Sequence, residues 1–226
     1  MMGERIAELT PLIAGYRQFY DRYFCDNKEL YEQLSRVGQS PKSLVIACCD
    51  SRVDPALLFQ CGPGDLFVVR SVANLVPPYQ DKGLSCSTGA AIEFAICHLG
   101  IEHAIVLGHS QCAGVKALCE MQGANESSGM VGAWMRIAEK ARHEVFPKPP
   151  QTPVTPEQVE ACSHASLLHS YHHLFTYPWL SKAVLAGRLQ CHAWFFNVAT
   201  GILEAYDFDQ ESFVSLLSEN AVMSSI

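Results

Sequence analysis

Two short apolar runs constrain this chain more than any other feature, because of what each carries at its end. Leu44-Val45-Ile46-Ala47 leads into Cys48, Cys49, Asp50, Ser51 and Arg52, and Ala104-Ile105-Val106-Leu107-Gly108 leads into His109, Ser110, Gln111 and Cys112. A near-continuous apolar run of this length reads as a strand covered on both faces. Open parallel sheets bind their ligands just beyond the carboxyl ends of such strands. The two runs therefore predict core strands that bring thiol, imidazole and carboxylate groups to one edge of a sheet.

The rest of the chain supports that frame. A strand at 43–48, a helical turn at Asp54–Leu58 and a strand at Asp65–Arg70 come first. An irregular loop over Ser71–Tyr79, a helix over Leu84–Leu99 stopped by Gly100, a strand at 103–108 and a helix opening near Cys112 follow. Alternation of strands and helices predicts an α/β fold with a mainly parallel sheet flanked by helices. Residues 130–145 read as helical, and Pro147, Pro149, Pro150, Pro153 and Pro156 make a proline-rich connector, read as a surface loop within one domain. A helical region at 155–186, interrupted at Tyr177-Pro178, precedes two strands, Leu189–Val198 and Ile202–Phe208. Their short turn predicts a hairpin that sets an antiparallel strand at the sheet edge. A last helix is expected at 210–219. At the other end, 4–24 and Lys28–Val37 read as helices and Gly38–Pro41 as a break. The chain is thus expected to be a single domain, 1–226, with 1–38 as an N-terminal helical arm. That arm is more apolar than a solvated one needs to be, so it either covers its own domain or lies across a second subunit.

Charge and cysteine content narrow the partners. Lys and Arg number 16 against 23 Asp and Glu, a net charge of −7, the wrong sign for a nucleic-acid partner. No apolar run reaches the ~20 residues of a membrane span, and the charged start has no apolar signal region. Ten cysteines are many for 226 residues. Cys97, Cys119 and Cys191 sit inside element-like runs rather than in loops, which suggests buried free thiols and a reducing, cytoplasmic setting.

Cys48 and Asp50, two apart on a strand, point to the same side. His109 and Cys112, three apart, share one face of a first helical turn, where the helix end favours thiolate. Zinc takes S, N and O ligands tetrahedrally, and a catalytic site keeps a place for water. Two thiolates and an imidazole leave one position, for water or for Asp50. Arg52 can hold Asp50 in a bidentate fork and so keep it off the metal. The plainer alternative, two buried cysteines and a backbone-bonded histidine, leaves Asp50 and Arg52 without a reason. His169, His172 and His173 share helical spacing, but no acid or thiol obviously joins them into a second site.

C-x-D-S-R followed by H-x-x-C resembles the β class of carbonic anhydrases, and so do the stretches GQSPKSLVIACCDSRVDP, GDLFVVRSVANLVPPY, STGAAIEFAICHLGI and LGHSQCAGVKAL, from about Glu29 to Phe208. The resemblance implies four parallel strands plus an antiparallel edge strand, and a homodimer or higher homo-oligomer. It implies one Zn2+ per chain on Cys48, His109 and Cys112, with an Asp50–Arg52 dyad beside it. The implied activity is reversible hydration of carbon dioxide to bicarbonate and a proton, by attack of zinc-bound hydroxide. Some members of the family bind the Asp to zinc in an inactive form. Gln39 matches a glutamine of the open group, where it could donate to a substrate oxygen. Val45 and Phe196 stand where the self-inhibited group has the Trp and Tyr of a bicarbonate pocket, although Arg70 remains. An open site at neutral pH is therefore expected. Phe67, Val72 and Phe94 read from the sequence alone as ordinary core, whereas the resemblance implies them as the apolar wall for CO2, partly across the dimer interface. Ala113 and Ser71 depart from the usual Gly and Asn. Rival readings are a carbonyl sulfide or carbon disulfide hydrolase of the same fold, and a non-catalytic zinc-bound scaffold. The intact Asp50, Arg52 and Gln39 argue against the scaffold.

Overall fold

The computed structural model describes residues 2–80, 86–121, 129–148 and 153–217. Two compact units make up the chain, Met1–Gln39 and Ser40–Ile226. In the first, helix α1 (Met2–Gln18) continues through a π-helical turn at Phe19–Phe24, and α2 (Lys28–Val37) follows. Gly38, at φ 84°, ends α2 in the left-handed region open to glycine. Rings of Phe24 and Tyr31, 4.9 Å apart, help hold the unit together. Its apolar surface stays outward: Leu12, Tyr16 and Val37 are each more than 60% exposed, and Leu9, Ile13, Phe19, Tyr20 and Tyr23 are exposed as well.

The second unit runs β1 (Ser43–Cys48), α3 (Pro55–Leu58), β2 (Leu66–Ser71), α4 (Ser87–Phe94), β3 (His103–His109), α5 (Ala113–Glu120), α6 (Met130–Met135), α7 (Glu139–Val145), α8 (Pro156–Leu174), α9 (Pro178–Leu185), β4 (Gln190–Phe196), β5 (Leu203–Asp207) and β6 (Ser212–Ser215). The sheet order is β2-β1-β3-β4-β5-β6. The first four strands are parallel, and β5 and β6 join antiparallel. Alternate residues of β1 and β3 serve opposite faces, as the pleat requires. Leu44, Ile46, Ala104 and Val106 pack with Leu167, Leu174 and Phe195 on one side; Val45, Ala47, Ile105 and Leu107 pack with Val53, Trp194 and Phe196 on the other. Gly108 allows the first packing. A Cβ there would come 3.2 Å from Leu167 and 3.3 Å from Phe195, so only glycine lets α8 lie this close to β3. Because Ala47 is level with Leu107, Cys48 and His109 leave the sheet at nearly the same height.

Some local expectations are corrected. The sheet has two antiparallel strands at its edge rather than one. Residues 210–217 form a turn and β6, not a helix; 218 and 219 lie outside the described residues, as do 84 and 85 of the expected 84–99 helix. Phe213, Val214, Leu216 and Leu217 mimic a helical stripe, but the Phe213 ring packs 5.0 Å from Tyr206 while its backbone pairs with β5. The described part of the 84–99 helix is α4 followed by a π-helical stretch, Ala95–Leu99. Cys97, expected to be buried, is exposed, and all ten cysteines are free.

The α8 side of the sheet also holds a half-buried base, His164. His164 lies between Phe195 and Phe213, with ring centroids 4.1 and 4.3 Å away. Burial pushes its pKa from 6.5 down to about 4. The unfolded chain therefore takes up this proton first as pH falls, and the stability that a neutral His164 allows is complete above pH 6.5 and lost toward pH 4. Urea unfolding at about pH 7.5 and pH 5 should show a loss of about 2 kcal/mol from this group. His164→Leu should remove that share of the acid sensitivity.

Candidate metal centre

The site is assembled from three chain turns. Cys48 is the last residue of β1, His109 the last of β3, and Cys112 caps the start of α5. Between the latter two, Gln111 takes the left-handed conformation at φ 55°, unusual for a residue with a side chain. That twist turns the chain from strand to helix within three residues. Ala73 and Asn74 also have positive φ, 58° and 49°, just past β2. Strained backbone concentrated at one sheet edge is a mark of a functional site.

One ligand atom each from Cys48, His109 and Cys112 lies within 4.8 Å of the others. The two sulfurs are 3.9 Å apart; a tetrahedral zinc with Zn–S bonds of ~2.3 Å sets its sulfurs ~3.8 Å apart. His109 Nδ1 lies 2.9 Å from the Ser110 carbonyl, which can accept its proton and leave a lone pair on Nε2. Nε2 is buried without a hydrogen-bond partner. A buried polar atom left unpaired is costly, and a cation facing Nε2 and the two sulfurs would remove that cost. All three side chains are buried. Cys48 is drawn toward thiolate by the hydrogen bond with Cys112 and by His109, against its burial. Cys112 is pushed up by the hydrogen bond with Cys48 and by burial. The pair thus shares one proton, which a thiophilic cation would displace.

Asp50 and Arg52 meet as a fork. Arg52 Nε donates to Asp50 Oδ1 at 2.9 Å and Nη2 to Oδ2 at 2.8 Å, and the Arg52 backbone N–H adds a bond of 3.0 Å. The hydrogen bonds from the Arg52 side chain hold the Asp50 carboxyl well below the usual carboxylate range. Asp50 Oδ2 is 3.9 Å from His109 Nε2, too far for a hydrogen bond and close enough to border the metal position. Arg52 Nη2 also donates to the Gln111 carbonyl at 3.1 Å, tying the two strand ends together.

The remaining expected residues are placed as follows. Val72 sits beside the site; its Cγ1 would lie 3.1 Å from a Cβ on Gly114, and its carbonyl accepts from Trp134 Nε1 at 2.9 Å. Phe67 and Phe94 pair with each other, centroids 5.9 Å apart. Phe67 is level with Leu44, and Ser71 with Cys48. The pair therefore stands ~13 Å down the strand from this chain's own ligands, at ~3.3 Å per residue. Gln39 is exposed and ends the first unit. Cys49 is exposed. His169 meets Glu144 at 2.8 Å, and His173 Nδ1 the Val76 carbonyl at 2.7 Å. The departures are locally accommodated: Ala113 is exposed, and Ser71 Oγ donates to the Leu75 carbonyl. The tight position is Gly114, where a Cβ would press on Val72 at 3.1 Å and Ala73 at 3.3 Å. Gly114→Ala should cost about 1–2 kcal/mol in urea unfolding through overpacking.

Two contributors carry no sequence signal. The Gln111 and Ser110 carbonyls act through the backbone. Arg70, noted in the sequence only as a leftover of another pocket, has its guanidinium spread over the loop after β1.

The family model described as carbonic anhydrase matches residues 43–203. A carbonic anhydrase of Synechococcus elongatus is 36% identical over 193 residues, 85% of this chain and 70% of that protein. The β-carbonic anhydrase CcaA superposes with a TM-score of 0.84 at 35% identity, over 92% of this chain and 99% of that one. A structure from a study of two tetrameric β-carbonic anhydrases of Sordaria macrospora superposes with a TM-score of 0.69 at 25% identity, over 90% and 96% of the two chains.

Proposed function

We propose, from the premise that this chain belongs to the β-carbonic anhydrase family, that it catalyses the reversible hydration of carbon dioxide to bicarbonate and a proton. The observation that carries this reading is the unpaired His109 Nε2 facing two thiol sulfurs, with the Asp50 carboxylate beside them. Cys48, His109 and Cys112 would hold one Zn2+ per chain. Bound there, zinc would act as a Lewis acid that makes water a nucleophile near neutral pH.

The protein's own groups do the rest. Asp50, kept unprotonated by Arg52, accepts a hydrogen bond from the attacking water and orients it. Val72 offers an apolar wall. Phe67 and Phe94 serve the neighbouring chain's site in a dimer, since they stand far from their own ligands. The exposed apolar side chains of the first unit also support self-association, because a surface this apolar commonly marks an interface. The tetrameric relatives support the same reading. Ten free cysteines favour a reducing, cytoplasmic setting, and among the described residues no helix is long and apolar enough to cross a membrane.

Stopped-flow carbon dioxide hydration, read through a pH indicator, tests the proposal. Turnover should disappear on chelation and return with zinc. No hydration by the zinc-loaded protein would refute the activity, and assays of carbonyl sulfide and carbon disulfide alongside would identify a different gas as substrate.

A further inference from the structure

We infer that Arg70 is a positioning residue for this site: it fixes the loop after β1 so that Asp50 stays in the Arg52 fork and off the metal position. The inference rests on the carbonic anhydrase reading and extends it to a residue outside the ligand set and the dyad. Arg70 stands on β2, level with Ala47 of β1. Its guanidinium reaches four acceptors. Nε donates to the Cys48 carbonyl at 3.0 Å, and Nη1 to Asp54 Oδ2 at 3.0 Å. Nη2 donates to the carbonyls of Asp50 and Val53 at 2.6 and 2.9 Å.

These acceptors span the segment that carries a candidate ligand, the carboxylate and its guanidinium partner. Asp54 is itself anchored, since its Oδ1 accepts from the Ala56 and Leu57 backbone N–H groups at the start of α3. A backbone bond from Cys49 N to the Ser71 carbonyl, 3.1 Å, fastens the same loop one residue further on. A single planar donor fork thus holds the loop by its carbonyls, a geometry that lysine cannot reproduce.

The consequence concerns Asp50. Its Oδ2 lies 3.9 Å from His109 Nε2, so a modest swing of this residue would bring a carboxylate oxygen to the point that the imidazole and two sulfurs face. The side chain is held by Arg52 and the main chain by Arg70. Releasing the Asp50 carbonyl frees the backbone to turn, and the carboxylate then competes with solvent for the metal. A residue that merely stabilised the fold would change the folded fraction without changing the fourth coordination position.

The test uses zinc- and cobalt-substituted protein, wild type beside Arg70→Gln, Arg70→Lys and Asp54→Asn, with azide as a probe of the fourth position. Arg70→Gln should keep about one metal per chain and lose kcat by about 100-fold with little change in KM, the scale of a small misplacement. Azide concentrations that saturate the cobalt spectrum of the wild type should leave that of Arg70→Gln unchanged. Arg70→Lys should fall between the two. Wild-type kcat per metal and a wild-type azide response in Arg70→Gln would overturn the inference. If Arg70→Gln fails to fold, Asp54→Asn decides: a smaller loss of kcat and azide response supports the inference, and wild-type values for both overturn it. Failure of the carbonic anhydrase reading is distinguishable, because wild type would then hydrate no carbon dioxide while the azide comparison could still be read.

Discussion

Cys48→Ser is expected to leave a folded chain that neither retains zinc nor turns over carbon dioxide. Serine is close to cysteine in size, and Cys48 is buried among Ala73, Leu75 and Cys112, so packing changes little. Ligation changes greatly. A thiol already drawn toward thiolate by Cys112 and His109 is replaced by a hydroxyl that does not ionise near neutral pH. The Cys112 sulfur and His109 Nε2 are then left as an incomplete pair. Without the metal, water returns from an acidity near ~7 toward 15.7, and turnover should fall by at least about 1,000-fold. Metal analysis after dialysis, with circular dichroism as the folding control, checks both halves. A Cys48→Ser protein that is zinc-free and fully active would end the account.

Asp50→Asn should separate the two losses, with metal retained and rate lost. The Asp50 oxygens take the Arg52 fork at 2.8 and 2.9 Å; an amide must turn an N–H toward one of those donors. The fork is then broken, and the acceptor that orients the nucleophile weakens. A kcat loss of about 100- to 10,000-fold is expected, the range for removing a positioned proton acceptor, with about one zinc still bound per chain. Because Arg52 holds Asp50 well below the usual carboxylate range, the carboxylate stays charged throughout the neutral range. Its contribution to stability is present above the ordinary carboxylate pKa and is lost only as pH falls through the lowered one. Wild-type kcat in Asp50→Asn would remove the dyad from the mechanism.

Strands β1 and β3 were legible because both of their faces are buried, and Leu44 to Ala47 have no exposed area at all. The convergence of Cys48, His109 and Cys112, with Asp50 beside them, was legible because each motif sits at the end of a core strand at a spacing that turns its side chains to one point. Segment 212–215 was misread because Phe213 and Val214 fit a helical stripe as well as a strand, and pairing with β5, a tertiary effect, decides between them. The π-helical stretch Ala95–Leu99 leaves no mark in periodicity. Gln111 is neither glycine nor asparagine, so its left-handed backbone could not be anticipated. Arg70 shows the deepest limit: three of its four acceptors are main-chain carbonyls, which every residue has and no motif records.

X-ray absorption at the zinc edge of the fully active protein examines the central claim most directly. One zinc per chain is expected, with two sulfurs at ~2.3 Å, one imidazole nitrogen at ~2.0–2.1 Å and a single solvent-exchangeable light atom. A zinc shell without both sulfurs, or one closed by a carboxylate at neutral pH, would contradict it.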